Sequence, residues 1–446
     1  MSRNINIKKG LDINIKGAAS ISQHKSVKSD ICAIIPDDFP GFTPKPSVKE
    51  GDHISVGGEI LHDKRFDDIK ITSPVSGIVK AIVRGNRRKI ERIEIAVQGN
   101  DDKIKFQLND KSREELKRII MHSGLWVMLR QRPYDIIPTP DKTPRDIFVT
   151  GFDSAPLAPD FNFILKDKET EIKAGLEALS TLTDGNVYIG LRTEKSLCNI
   201  QNVRPIVVSG PHPAGNAGIQ AANISPVNKG EIIWTTDLIT VSRIGELLLT
   251  GTIPTETTIA LTGSEIAEPK YITAPIGAKI GSIIAGDIIE SPHHKRIISG
   301  NVLTGIKVDY DGFLRYPYRQ ITVIPEGDDV DEFMGWASLS PNKMSVNRSF
   351  IGHFLKSKLF SPDARLLGGR RAMIMSGEYD KVLPMDILAE YLIKAIISRN
   401  IDDMEKLGIY EIAPEDMALC EYVDTSKLEI QKIVREGLDY LRAELE

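Results

Sequence analysis

The sequence predicts a multidomain protein of the α/β (α+β) class. Three observations carry the prediction. The chain has 446 residues, more than one core's worth at roughly 100–200 residues per domain. Its first hundred residues carry strand patterns with no helical period, and from Asp146 strands alternate with amphipathic helices before a helical C-terminal stretch.

Short apolar runs at Ile31 to Ile35, Ile69 to Thr72, Ile78 to Val83 and Arg92 to Val97 lie between turn residues such as Gly85, Asn86, Gly99 and Asn100, which marks a β-rich unit. Ser112 and Glu115 then form a capping box, and Leu116, Ile119 and Ile120 share one helical face that ends at Gly124. The following stretch carries Pro133, Pro138, Pro140 and Pro144, so an ordered extended loop is expected there. Ile147 to Thr150 reads as a buried strand, Lys168 to Thr183 as a helix, and Val187 to Leu191 and Ile206 to Ser209 as further strands of a parallel, Rossmann-like layer.

Asp237 to Thr250 reads as a helix closed by Gly251. Thr257 to Thr262 and Ile297 to Thr304 are expected strands around the Gly-rich middle from Gly277 to Gly286. Beyond residue 330 the pattern is helical. Pro384 at a first-turn position is expected to open Met385 to Arg399, and a capping box of Ser426 and Glu429 to open a helix striped by Ile430, Val434, Leu438 and Leu441.

Composition excludes several functions. With 57 Lys plus Arg against 61 Asp plus Glu, the net charge of −4 supplies no field for nucleic acid or anionic lipid. Cys32, Cys198 and Cys420 are too far apart for a Cys-x-x-Cys metal or iron–sulfur motif, and their number fits a reducing compartment. The N-terminus lacks the apolar region of a signal peptide, and no stretch approaches the ~20 apolar residues of a membrane span. A cytoplasmic chain is expected.

Lys45 to Lys64 followed by Ile71 to Ile82 repeats apolar, acidic and glycine positions in the manner of biotinyl/lipoyl-type barrel-sandwich modules, where a hairpin-tip lysine carries the prosthetic group. Lys64 is the nearest lysine, but no Met-Lys-Met surrounds it, so the fold without the group is expected. Ser209 to Gly218, SGPHPAGNAG, is a Gly/Pro/His loop after a strand, able to offer backbone N–H groups or His212 to an anion or a carbonyl; it lacks both the Gly-x-Gly-x-x-Gly spacing and a Walker lysine. His293-His294, the acidic run Asp328, Asp329, Asp331 and Glu332, and Gly368-Gly369-Arg370-Arg371 read as polar surface. No catalytic constellation and no metal site is patterned.

The order of segments carries more. IKKGLDINIKG, GLWVMLRQRP (Gly124 to Pro133), FVTGFDSAPLAPD (Phe148 to Asp160), SGPHPAGNAG, ISGNVLTG (Ile298 to Gly305), FMGWASLSPNKMSVNRSF (Phe333 to Phe350), SGEYDKVLPMDI (Ser376 to Ile387) and APEDMALCEYVDTSK (Ala413 to Lys427) resemble, in order, the NqrA family of the bacterial Na⁺-pumping NADH:quinone oxidoreductases. The family is related to the C component of the Rnf complex and to the flavin-bearing NADH-binding component of complex I. The resemblance implies four units: a barrel-sandwich β-domain over 1–105, a Rossmann-like domain over 106–255, an SLBB-like β-grasp domain over 256–330, and a mostly helical C-terminal domain over 331–446.

It further implies a peripheral component on the cytoplasmic side of the bacterial inner membrane, held there by the other components of the complex, B to F, and above all by the integral membrane B component. Electrons pass from NADH to a quinone with Na⁺ export, through flavins and an iron–sulfur centre on the partners. Flavin-binding relatives carry a Gly-x-Gly-Gly-Ala-x-Phe-Pro loop. Here Gly124 is followed by Leu125 and the bulky Trp126, so no flavin or other tightly bound cofactor is expected on this chain.

Quinone is the expected ligand, and the candidates for binding it or for filling the vestigial crevice are Trp126, Arg130, Asp153, His212, Gly215 and Gly218. Two other readings stand beside this one: an autonomous flavin-dependent NADH dehydrogenase, and a swinging-arm carrier on Lys64.

Overall fold

Strand Arg3–Asn6 pairs in parallel with Val203–Ser209, with Ile5 opposite Val208. In the computed structural model that shows this, the described residues are 3–99, 102–193, 200–330, 332–333, 338–346, 348–355 and 357–446. Cys198, the turn residue Asn100, Asp331 of the acidic run, and 334–337 and 347 of the Phe333 to Phe350 block lie outside them.

Arg3–Asn6 is thus the edge of a six-stranded sheet that continues through Val203–Ser209, Val187–Leu191, Asp146–Thr150, Ile233–Asp237 and Arg130–Arg132. All but the last strand run parallel. The central strands Asp146–Thr150 and Ile233–Asp237 are buried on both faces because both faces are covered. Ile147 and Val149 belong to one core with helices Glu169–Leu182 and Leu238–Thr250, whereas Phe148 faces a second core shared with helix Ala217–Ile224 and the C-terminal helices. The helices expected over 112–124, 168–183 and 237–250 are found within a residue or two. Ser112 caps Arg113–His122 by accepting from the Glu115 N–H, and Asp237 caps Leu238–Thr250 through Thr240 N–H.

The β-rich unit is two facing sheets. One holds Ile31–Ile34, Ile90–Val97, Gly77–Arg84 and His53–Ile54; the other holds Pro44–Pro46, Glu59–Asp63 and Lys70–Thr72. Cys32, Ile60, Leu61, Ile71, Ile93 and Ile95 fill the space between them, a barrel-sandwich arrangement. Two strands at the start of the expected 1–105 unit pair outside it. Arg3–Asn6 lies in the α/β sheet, and Ser20–Ser26 pairs with Lys270–Pro275, so neither strand belongs to the barrel-sandwich sheets.

That second pairing completes a mixed sheet ordered Ile306–Val308, Lys295–Ser299, Gln320–Pro325, Glu256–Thr262, Lys270–Pro275, Ser20–Ser26, accompanied by the short helix Ile280–Ile284, in the region expected to be SLBB-like.

In the C-terminal region the helices are Tyr379–Val382, Ala389–Ile397, Ile401–Lys406, Ala418–Val423 and Ile430–Leu445. From 331 to 378, a 3-10 turn at Ile351–Phe354 is the regular helical structure among the described residues. Two sequence cues misplace helix starts. Pro384 precedes a turn, and the helix begins at Ala389. Ser426 does not cap Ile430–Leu445, because its hydroxyl donates to Ala372 O and accepts from Ile374 N–H; the Gln431 N–H is met by Glu421 Oε2 at 2.8 Å. No helix among the described residues is long and apolar enough to cross a membrane.

Candidate functional site

The carboxyl ends of Asp146–Thr150 and Ile233–Asp237 open into a cleft of about 460 Å³, the usual place for a ligand on a parallel sheet. Asp38 of the barrel-sandwich forms one wall, the hairpin Gly300–Gly305 and residues Arg315–Gln320 a second, and Pro414, Glu415, Gln431 and Arg435 of the C-terminal region a third. Four candidates from sequence, Arg130, Asp153, His212 and Gly215, line it.

His212 is buried, its Nδ1 3.0 Å from Ser154 Oγ and its main-chain N–H donating to Asp12 Oδ1. Burial holds the imidazole below its ordinary pKa, against the pull of Asp153 and Asp12, so it is neutral at neutral pH. Ser154 Oγ also accepts from the Gly215 N–H at 2.8 Å, which ties the loop after Asp146–Thr150 to the loop after Val203–Ser209. A Cβ on Gly215 would lie 2.6 Å from the Ser154 nitrogen, so no side chain fits there.

Asp153 Oδ1 accepts from Ala155 N–H, and its Oδ2 lies 3.9 Å from Arg319 Nη1. Arg319 reaches across from the SLBB-like region to Asp237 Oδ2 at 2.5 Å. Arg315 holds the buried Asp38 in the same way, and burial raises that carboxyl against the opposing pull of Arg315. Arg130 acts as a strut: its guanidinium donates to the carbonyls of Val127, Leu129 and Asp38 and sits 5.2 Å from the centre of the Tyr316 ring. Tyr316 in turn donates to Met128 O.

Two candidates fall outside the cleft. Trp126 is fully buried; its Nε1–H donates to Pro138 O at 2.8 Å, and its ring meets Trp234 edge-on at 5.1 Å. The expected stacking face is therefore covered by protein. Beside it, a hollow of only about 40 Å³ remains along Gly124, Leu125, Val127 and Met128. Gly218 is a seat for Arg132: a Cβ there would lie 2.0 Å from Arg132 Nη2.

Other sequence features fall elsewhere. Lys64 lies in the loop between Glu59–Asp63 and Lys70–Thr72, its N–H on Thr43 O. His293 pairs with Asp329 and His294 with Asp328, and no group of three possible ligands that could hold a metal occurs among the described residues. Cys32 and Cys420 are buried thiols; burial pushes Cys32 up to about 12 and raises Cys420 as well. Arg370 pairs with Glu429. A hollow of about 610 Å³ lies beyond Asp153, walled by Phe152, Phe161, Lys173, Leu176 and Arg192, and takes in none of the other candidates.

Residues 5–98 match the family described as the NqrA N-terminal barrel-sandwich hybrid domain, 111–253 the NqrA second alpha/beta domain, and 258–309 the NQRA C-terminal domain. The chain is 36% identical over 450 residues to the A subunit of the Na(+)-translocating NADH-quinone reductase of Neisseria meningitidis serogroup B, covering 99% of this chain and 100% of that one. The chain belongs to the NqrA family. The corresponding protein of Photorhabdus laumondii subsp. laumondii, which bears the same name, is 35% identical with the same coverage. A solved NAD+-reducing [NiFe]-hydrogenase in the H2-reduced state aligns with 75% of this chain and 61% of its own at a TM-score of 0.39 and 10% identity.

For this NqrA-family chain the sequence did not single out Arg315, Tyr316, Arg319, Glu415 or Arg435 as cleft residues. The cue for the first three was present as the run Arg-Tyr-Pro-Tyr-Arg from 315 to 319, two cations among aromatic rings. Glu415 and Arg435 carry no local signal, since only the folded chain brings them to the strand ends.

Proposed function

We propose that this chain acts as the peripheral NqrA component of a Na⁺-translocating NADH–quinone reductase and contributes the cleft at the strand ends to quinone binding and reduction. The observation that carries the reading is the identity of 36% running from end to end of a relative bearing that name. The cleft supports the quinone role. Its volume of about 460 Å³ lies within the roughly 300–1,000 Å³ of small-molecule sites. Arg319 and the buried His212 bring polar groups to it beside the Tyr316 ring, suited to a planar ring with carbonyl edges.

That no flavin is held in the crevice at Gly124 is supported by the hollow of about 40 Å³ left beside Trp126, far too small for one. Flavins and the iron–sulfur centre then reside on the partner proteins. The integral membrane B component anchors the chain on the cytoplasmic face of the inner membrane. In this reading the six-stranded sheet is a Rossmann-like domain and the last helices form a helical unit that packs on it through a shared core.

The test is affinity purification of the tagged chain from detergent-solubilised membranes of its host, followed by assay of NADH-driven quinone reduction with and without Na⁺. Co-purifying hydrophobic proteins and a Na⁺-stimulated rate are expected. A lone colourless chain without activity overturns the reading, and a lone yellow chain oxidising NADH returns it to the autonomous dehydrogenase.

A further inference from the structure

Glu415 and Asp416 follow each other in the 3-10 turn Pro414–Met417, and both face Arg132. They share its single positive charge unequally. Asp416 Oδ2 lies 2.6 Å from Arg132 Nη1 in a contact sealed from solvent, and its carboxylate also accepts from Ala413 N–H. Glu415 Oε1 stands back at 3.8 Å from Nη2, with its side chain 51% accessible on the cleft side. Among the described residues no hydrogen bond to its carboxylate is present. One carboxylate is thus committed to the fold, while its neighbour faces the ligand space.

We propose that Glu415 is the proton donor to the quinone oxygen in this cleft. The proposal rests on the quinone-reducing role argued above. Every charged group around Glu415 bears on whether it holds a proton. Asp416 on its own turn and Asp135 after the strand Arg130–Arg132 favour protonation; Arg132 and Arg319 oppose it. Arg435 of the last helix and His212 line the same cleft. Although half of the side chain is accessible, desolvation by the surrounding cleft walls is the largest cause, followed by Asp416 and Asp135, and together they push the carboxyl up to about 7, so a proton is held and released near neutral pH.

The step balances. The quinone takes two electrons, which the complex draws from NADH, and two protons. The Glu415 O–H bond breaks as an O–H bond forms on the quinone oxygen, the electron pair stays on the carboxylate, and water reaching the open cleft reprotonates it. The second proton is taken from the same group after reloading.

The test uses the whole complex carrying Glu415→Gln or Glu415→Asp, assayed with NADH and a short-chain ubiquinone from pH 5.5 to pH 9. Wild-type turnover is expected to fall as pH rises through about 7. Glu415→Gln is expected to lose about 100-fold in kcat with KM for the quinone little changed, and to lose the pH dependence in that range. Glu415→Asp is expected to recover a pH-dependent rate.

A Glu415→Gln complex with wild-type rate and pH profile overturns the proposal. Co-purification of the partner proteins with the tagged variant chain reports assembly. If Glu415→Gln fails to assemble, Glu415→Asp decides: a pH-dependent quinone rate supports the proposal and a pH-independent one overturns it. A wild-type complex that reduces no quinone defeats the functional reading itself, which separates the two failures.

Discussion

Arg132 and Asp416 form an ion pair of 2.6 Å in which neither side chain is more than 1% accessible. Breaking a buried pair leaves the remaining charge uncompensated, at a cost of about 3–5 kcal/mol. Asp416→Ala is therefore expected to lower stability by that amount and to melt the contact between the C-terminal region and the α/β sheet first. Urea unfolding followed by hydrogen exchange at Ala389–Ile397 and Ile430–Leu445 checks it; unchanged protection there would contradict the prediction.

Trp126 fills the core at the point where the resemblance to flavin-binding proteins would place glycines. Trp126→Ala removes a fully buried indole that packs on Trp234, so a loss of about 3–5 kcal/mol is expected. Flavin should not be taken up, because the backbone after Gly124 keeps the side chains of Leu125, Val127 and Met128. Thermal unfolding measures the first effect and equilibrium dialysis with flavin mononucleotide the second.

Glu326 predicts an acid effect. The Arg296 guanidinium, aided by Lys307, holds its carboxyl down to about 2 from an ordinary 4.5. A depressed carboxyl pKa contributes stability that is complete above the unfolded value and is lost as pH falls towards the folded one. The stability difference between wild type and Glu326→Gln should therefore be largest above about pH 4.5 and shrink between about pH 4.5 and pH 2. Urea midpoints collected across that range test the sign.

Arg319 joins the SLBB-like region to the strand-end loops through Asp237 and Asp153. Arg319→Met keeps much of the side-chain volume and removes both ion pairs. In the assembled complex, kcat/KM for quinone is expected to fall about tenfold, equivalent to roughly 1.4 kcal/mol, through misplacement of the cleft walls. An unaltered kcat/KM would show that the cleft does not handle quinone.

Local chemistry made part of this molecule readable. The helix Arg113–His122 was announced by Ser112 because a cap acts within four residues. The Glu115 half of the expected box is not made: the Ser112 N–H donates to Asp110 Oδ1 and Glu115 takes the Asn109 N–H. His212 and Gly215 stood out because loops after parallel strands are where ligands sit. What stayed hidden depends on distant partners. Strand Arg130–Arg132 runs directly into Pro133 and is too short to show a period of its own; it pairs antiparallel with the distant Ile233–Asp237. Ser426 looked like a cap, yet Ala372 and Ile374, which lie more than fifty positions away, take its hydroxyl. Arg132 finds Asp416 across 284 positions, a separation at which no pattern in the chain announces the pair.

The strand Arg3–Asn6 sets a schedule for synthesis. Its partner Val203–Ser209 emerges from the ribosome roughly two hundred residues later, and the partner of Ser20–Ser26 later still. Both early strands therefore wait without a neighbour while the barrel-sandwich can already close. Their docking couples three units that otherwise mature one after another, so a nascent chain stalled before residue 203 would hold a folded β-unit with a loose leading strap open to proteases and chaperones.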